Sequence, residues 1–220
     1  VLFRSKEEKV MRLYLIRHGV TDWNNEKRLQ GKSDIPLNAF GELLAKETGE
    51  ALRDIPFDLA YTSPLIRARR TAELVIGKRS VPILDDPRIE EIGLGIYEGL
   101  ICKGEGSEIR DPNFFHFFHA PELYQPPEGG ESFEELLQRT GSFLEELRKD
   151  PRLEHKTILI STHGATLCAL LCHIKELPLR KFWDEGVHKN CAVTVVDVTN
   201  EGYEILEEGN TYYKEEVKPW

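Results

Sequence analysis

Three short stretches of this chain carry side chains that could do chemistry together: Arg17-His18-Gly19, Thr62-Ser63-Pro64 with Arg67 one turn further on, and Thr162-His163-Gly164. Two guanidiniums present forked donors that match the oxygens of a phosphate. A histidine held among cations is pushed toward its neutral form, and a free ring nitrogen can then attack phosphorus. The glycine after each histidine, Gly19 and Gly164, lets backbone come close. Together these stretches read as a pocket for a phosphate dianion with a nucleophile inside it. Either histidine alone would read as a buried side chain satisfied by hydrogen bonds. The matched pair, with Arg17 adjacent, carries the argument.

The elements that must position these residues follow from the hydrophobic pattern. Leu13–Ile16 is a short apolar run ending at Arg17, so the first stretch sits at the C-terminal end of a strand. Val20–Pro36 reads as a polar loop and Asn38–Arg53 as a helix, with Leu43, Leu44, Ala51 and Leu52 at helical spacing. Leu59–Thr62 is a second strand. Ser63 and Pro64 are expected to open a helix as N-cap and first residue, running to Ile76 and stopping at Gly77. Pro82–Leu84 and Ile89–Glu91 read as short extended pieces. Gly93–Gly130, rich in Gly, Pro and aromatics, reads as a long excursion with one short helix. Ser132 and Glu135 form a capping box for a helix reaching Lys149. Thr157–Ser161 is a buried strand, Ala165–His173 an apolar helix, and Ala192–Val198 with Tyr203–Leu206 a closing hairpin. Strands alternating with helices predict an α/β fold, a three-layer α/β/α sandwich with a mostly parallel central sheet. In such sheets ligands bind beyond the carboxyl ends of the strands, where the three stretches converge. The starts of the helices after Ser63 and His163 are expected to add positive dipole ends to that pocket.

Composition bounds the rest. A chain of 220 residues with 40% hydrophobic and 30% charged side chains has the profile of a soluble globular protein. The net charge of −9 argues against a nucleic-acid partner, whose backbone demands a basic face. No apolar run reaches the ~20 residues of a membrane span, and no signal peptide is visible. Cys102, Cys168, Cys172 and Cys191 fit no disulfide framework or zinc pattern, and with the other features this gives a cytoplasmic expectation. No internal repeat or domain linker appears. The expectation is a single domain over residues 11–220, with Met11 the native start and residues 1–10 a tail or scar. Cys168, Cys172 and His173 share one apolar helix and read as core fillers.

The run Arg17-His18-Gly19-Val20-Thr21-Asp22-Trp23-Asn24 resembles the opening signature of the histidine phosphatase superfamily, which includes the cofactor-dependent phosphoglycerate mutases. The resemblance continues in Gln30-Gly31, in Thr62-Ser63-Pro64-Leu65-Ile66-Arg67-Ala68 with Thr71-Ala72, and in Glu91-Ile92-Gly93-Leu94-Gly95 followed by Tyr97-Glu98-Gly99. Gly130-Glu131-Ser132 and Ser161-Thr162-His163-Gly164 complete it, so the match runs from Met11 to about Val198. One departure is Val20, where the family often has Glu.

The resemblance implies that His18 is the nucleophile that becomes phosphohistidine, with Arg17, Arg67 and His163 holding the transferring phosphoryl group. Glu91 would protonate the leaving oxygen and then help deprotonate the attacking water. Asn24, Gln30, Gly31 and Gly164 would border the phosphate or substrate. Neither a metal nor another cofactor is implied. A His18–His163–Glu91 metal site is a rival, disfavoured because Arg17 and Arg67 would repel a divalent cation. Glu90 adjoins Glu91 and reads as a solvated neighbour. Arg70 could border the pocket, while Arg69 with Glu73 reads as a surface pair. A cysteine-based phosphatase would need an arginine six positions after a cysteine, and no cysteine here has one.

The expected activity is hydrolysis of a small phosphorylated metabolite by a monomer or homodimer. Phosphoglycerate mutase and a silent phospho-ligand binding protein are the alternatives. The Glu91–His163 interval resembles the shorter phosphatase branch. The family's segment after the acid covers the active site. Phe114, Phe115, Phe117 and Phe118 therefore read equally as an apolar lid over the leaving group or as an ordinary packed helix face.

Overall fold

The computed structural model describes residues 10–104 and 106–217. All of the expected tail except Val10 lies outside the described residues. In chain order the elements are β1 (Met11–Arg17), α1 (Asp22–Asn25), α2 (Ala39–Ala51), β2 (Leu59–Thr62), α3 (Ile66–Ile76), β3 (Ile83–Asp85) and α4 (Phe114–His119). They continue with α5 (Phe133–Lys149), β4 (Thr157–Thr162), α6 (Gly164–Ile174), β5 (Val193–Val198) and β6 (Tyr203–Asn210).

The six strands form one sheet in the order β3-β2-β4-β1-β5-β6. β3, β2, β4 and β1 run parallel, while β5 pairs antiparallel with β1 and β6 antiparallel with β5. Side chains alternate across the pleat, so β1, β2, β4 and β5 each contribute to two cores. Tyr14 and Ile16 of β1 pack with Leu44 and Ala45 of α2 and with Ala72, Val75 and Ile76 of α3. Leu13 and Leu15 pack on the other face with Phe143, Leu144 and Leu147 of α5 and Leu167, Leu170 and Leu171 of α6. A third cluster joins Ile92, Leu94 and Tyr97 to Phe114 and Phe117 of α4 and Phe133 of α5. The sheet thus has helices on both faces, as the alternation of strand and helix predicts.

Local boundaries follow local chemistry. α5 starts with the Ser132–Glu135 capping box. α2 is capped by Asn38, whose side chain accepts from Gly41 N at 2.8 Å. Two expectations are corrected. Ser63 does not cap α3: the helix begins at Ile66, after Leu65, and makes no side-chain cap. Nor is Ile89–Glu91 extended throughout. Asp86 accepts from Arg88 N at 2.9 Å and Pro87 presets its φ, so Pro87–Ile89 closes as a 3₁₀ turn. The loop Val20–Pro36 also contains α1, which the sequence pattern does not show.

Two strand registers place the site. Arg17 lies opposite Thr162 in the β1–β4 pair, and Thr62 opposite Ser161 in the β2–β4 pair. His18, Ser63 and His163 therefore leave neighbouring strands at one level. His18 N donates to Thr162 O at 2.8 Å and Ser63 N to Ser161 O at 3.0 Å.

The turn after β1 lies almost backbone to backbone on α2. A Cβ on Gly41 would stand 2.1 Å from Val20 O, and one on Gly19 would stand 2.6 Å from Gly41 O. Backbone atoms cannot swing aside as a side chain tip can. Gly41→Ala is therefore expected to cost about 1–3 kcal/mol of stability through overpacking and to shift the turn that holds His18. Urea unfolding beside the exposed-site control Glu50→Ala checks this, and equal midpoints would sink it.

Candidate active site

A cleft lies at the carboxyl ends of β1, β2 and β4. Arg17, His18, Asn24, Gln30, Gly31, Arg67, Glu91 and Gly164 line it together with Arg28, Leu29, Ile92, Leu94, Phe117, Phe118, Ala165, Trp183 and Val187. Of the nine site residues named from the sequence, eight thus border one space. His163 stands behind this wall, fully buried, with its ring 5.3 Å from that of His18.

The protonation of both rings follows from their partners. His18 Nδ1 lies 2.7 Å from Gly19 O. A carbonyl can only accept, so Nδ1 carries the hydrogen and Nε2 the lone pair. Burial, then the charges of Arg67 and Arg17, hold His18 well below the usual imidazole value of 6.5. His163 Nδ1 accepts from Arg67 Nε at 3.2 Å, so its Nε2–H donates to Ser63 Oγ at 2.7 Å. Burial and Arg67 also keep His163 neutral, well below 6.5. Ser63 thus belongs to the site as the group that fixes the His163 tautomer.

The two arginines are anchored differently. Arg67 spends Nη1 on Ser33 O and Nη2 on Gly31 O, both at 2.7 Å, and burial lowers it to about 10. Gly31 takes a φ of +50°, the left-handed region that glycine tolerates, while its carbonyl makes this bond. Arg17 donates Nη1 to His188 O at 2.6 Å, while its buried Nε has no partner in the protein. Asn24 Oδ1 accepts from Thr21 N at 3.0 Å, closing the capping box of α1, and its buried Nδ2 is left without a protein partner. Gln30 Oε1 is likewise buried and unpartnered. Arg17 Nε and Asn24 Nδ2 are donors available to an anion in the cleft.

Neither helix start serves the pocket as expected. Ile66 N, at the start of α3, donates to Asp34 Oδ1 at 2.7 Å. At the start of α6, Ala165 N and Thr166 N donate to Glu91 Oε2 and Oε1 at 3.2 and 3.1 Å. Carboxylates of the protein itself occupy both positive ends, so anion binding falls to side chains. Glu91 Oε1 also accepts from Ile92 N at 3.0 Å, which leaves Oε2 the less engaged oxygen. Glu90 turns away to Lys32, 3.5 Å distant. Arg70 pairs with Glu42 at 2.8 Å and does not border the cleft, and Arg69 pairs with Asp85 as well as Glu73. Cys168 and Cys172 are buried in the third core cluster.

The model of the histidine phosphatase superfamily (branch 1) matches residues 13–211. The chain belongs to that superfamily. Its relatives include "Uncharacterized phosphatase PhoE" of Bacillus subtilis, 38% identical over 160 residues, covering 73% of this chain and 75% of the relative. Another is "Probable phosphoglycerate mutase GpmB" of Salmonella choleraesuis, 33% identical over 195 residues, or 86% of this chain and 85% of the relative. The solved structure of Bacillus stearothermophilus YhfR superimposes with a TM-score of 0.83 at 38% identity, covering 91% of this chain and 97% of that one.

Sequence reasoning did not identify Asn190, which braces this histidine phosphatase site. Asn190 Nδ2 donates to His18 O at 3.0 Å and to Gly19 O at 3.2 Å, and Tyr213 OH donates to Asn190 O at 2.8 Å. Asn190 lies in a polar stretch with no periodicity and carries no motif, so only the fold reveals it. Among the described residues no helix is long and apolar enough to cross a membrane.

Proposed function

We propose that this histidine phosphatase superfamily member hydrolyses a small phosphomonoester through a phosphohistidine on His18. The observation that carries the reading is the His18 ring itself. Its Nδ1–H is tied to Gly19 O, the ring is held neutral, and Nε2 keeps the lone pair in a cleft bordered by Arg17 and Arg67.

The steps balance as follows. His18 Nε2 forms a bond to phosphorus while the bond to the leaving oxygen breaks, and that oxygen takes the proton of Glu91 Oε2. Water then attacks phosphorus and gives a proton to the Glu91 carboxylate. The P–N bond breaks, inorganic phosphate leaves and His18 returns to its neutral form. Arg17 Nε and Asn24 Nδ2 stabilise the charge on the equatorial oxygens.

The far half of the cleft supports a phosphatase reading over a mutase one. Leu29, Leu94, Phe117, Phe118, Trp183 and Val187 offer an apolar surface to the leaving group. Arg28 is the one cation lining that half among the described residues, and its guanidinium is tied to Glu26 and to Gly99 O. Phe117 and Phe118 act as lid and core at once, since they also pack edge to face on each other and at a tilt against Trp183.

Release of p-nitrophenol from its phosphate tests the reading, followed by a panel of phosphorylated metabolites. Activity is expected to be unchanged by EDTA, because two guanidiniums border the position a divalent cation would take. Among the described residues no three His, Cys, Asp or Glu side chains are grouped to hold a metal ion. Loss on chelation with rescue by zinc or magnesium would overturn this site, and phosphoryl exchange between phosphoglycerates without phosphate release would favour the mutase.

A further inference from the structure

The Gly130-Glu131-Ser132 motif takes no part in the chemistry above, yet its Glu131 is half-buried beside the loop that carries Glu91. Its partner is Arg139, one side of α5, and the pair is bidentate: Arg139 Nε donates to Glu131 Oε1 at 2.6 Å and Nη2 to Oε2 at 2.9 Å. The remaining donors all go to one short loop. Nη1 donates to Arg88 O at 2.7 Å and to Glu90 O at 2.8 Å, and Nη2 to Glu91 O at 3.1 Å. A guanidinium has five N–H donors, and here all five are spent. Glu131 completes the grip from its own side. Its Oε2 accepts from Gly93 N at 3.1 Å, and its backbone N donates to Gly93 O at 2.8 Å.

The loop so held is the one that carries Glu91. Its backbone is fixed on the α5 side at Arg88, Glu90, Glu91 and Gly93, while its side chain reaches the opposite way to Ala165 N and Thr166 N of α6. The loop forms no strand, and the sheet gives it no ladder of its own. A lysine in place of Arg139 would keep the charge but could not fork between a carboxylate and three carbonyls.

We propose that Arg139 and Glu131 are positioning residues that set the Glu91 carboxyl against the leaving oxygen. This rests on the general-acid role given to Glu91 under the proposed function. A displacement of about 1 Å at a reacting group can cost ~10²-fold. A loss of acid help falls on substrates whose leaving group needs a proton and spares those whose leaving group does not.

The test compares an alkyl phosphate with p-nitrophenyl phosphate in wild type, Arg139→Lys, Glu91→Gln and the double variant. Arg139→Lys is expected to lower kcat/KM for the alkyl ester by about 10- to 100-fold and for the aryl ester by less than about 3-fold. In the Glu91→Gln background it is expected to add nothing further, because the group it positions is gone. If Arg139→Lys does not fold, Glu131→Gln is read in the same way. Equal slowing of both esters, an unchanged alkyl rate, or effects that multiply in the double variant would overturn the positioning role while leaving the acid role standing. If Glu91→Gln itself shows no leaving-group dependence, the acid role fails and the positioning role falls with it.

Discussion

Replacing His18 with asparagine is expected to lower turnover by about 10⁴-fold or more while the fold is retained, since removal of a covalent nucleophile leaves only binding and electrostatic help. The geometry gives the reason. Nε2 is the ring nitrogen with a lone pair, and burial beside Arg67 and Arg17 keeps the ring neutral. The pH profile carries the sign of that shift. The neutral ring persists as pH falls through 6.5, so His18 is expected to limit activity only at a clearly more acidic pH. Stability moves the same way. The unfolded chain takes up its proton near 6.5 and the folded chain only below that, so stability is lost as pH falls from 6.5 toward the depressed value. Rapid quench of wild type with labelled substrate should yield an acid-labile, base-stable label mapping to His18. Turnover by the variant within about tenfold of wild type would sink the mechanism, because acid–base help alone contributes about 10²–10⁴.

Glu91→Gln is expected to slow alkyl phosphates by about 10²–10⁴-fold and p-nitrophenyl phosphate far less. An alkoxide needs its proton and p-nitrophenolate barely does. Glu91 Oε2 is the oxygen with room for that proton, since Oε1 already accepts from Ile92 N and Thr166 N. Glu90→Gln should change neither rate much, because Glu90 faces Lys32 outside the cleft. Equal slowing of both substrates by Glu91→Gln would remove the acid role. A leaving-group effect at Glu90 would assign that role to the wrong member of the pair.

How much of this was legible in the sequence depended on whether the information was periodic or local. β2 matches the apolar run Leu59–Thr62, and α5 follows from Ser132 and Glu135, because strand alternation and capping are written in adjacent residues. The strand ends that bring Arg17, His18 and Gly164 into one cleft were readable for the same reason. Ser63 was misread because a serine before a proline carries the same signature whether it caps a helix or meets a histidine from another strand. The helix starts were misread because a sequence does not show that Asp34 and Glu91 reach them first. Asn190 and Arg139 act across long separations on backbone carbonyls, and a carbonyl leaves no mark on residue type.

The placing of β1 has a consequence for the order in which the molecule becomes competent during synthesis. β1 is made before its two neighbours in the sheet, β4 and β5, which pair with it through Thr157–Thr162 and Val193–Val198. The carbonyls of His18 and Gly19 are then held by Asn190, which is itself held by Tyr213. Pairings this distant in sequence form late, because loop closure must come before they yield any contact. A nascent chain that has emerged only through α5 has β1 without a partner on either side and His18 unbraced. His18 is therefore made before the strands that flank it and is set in place only after them.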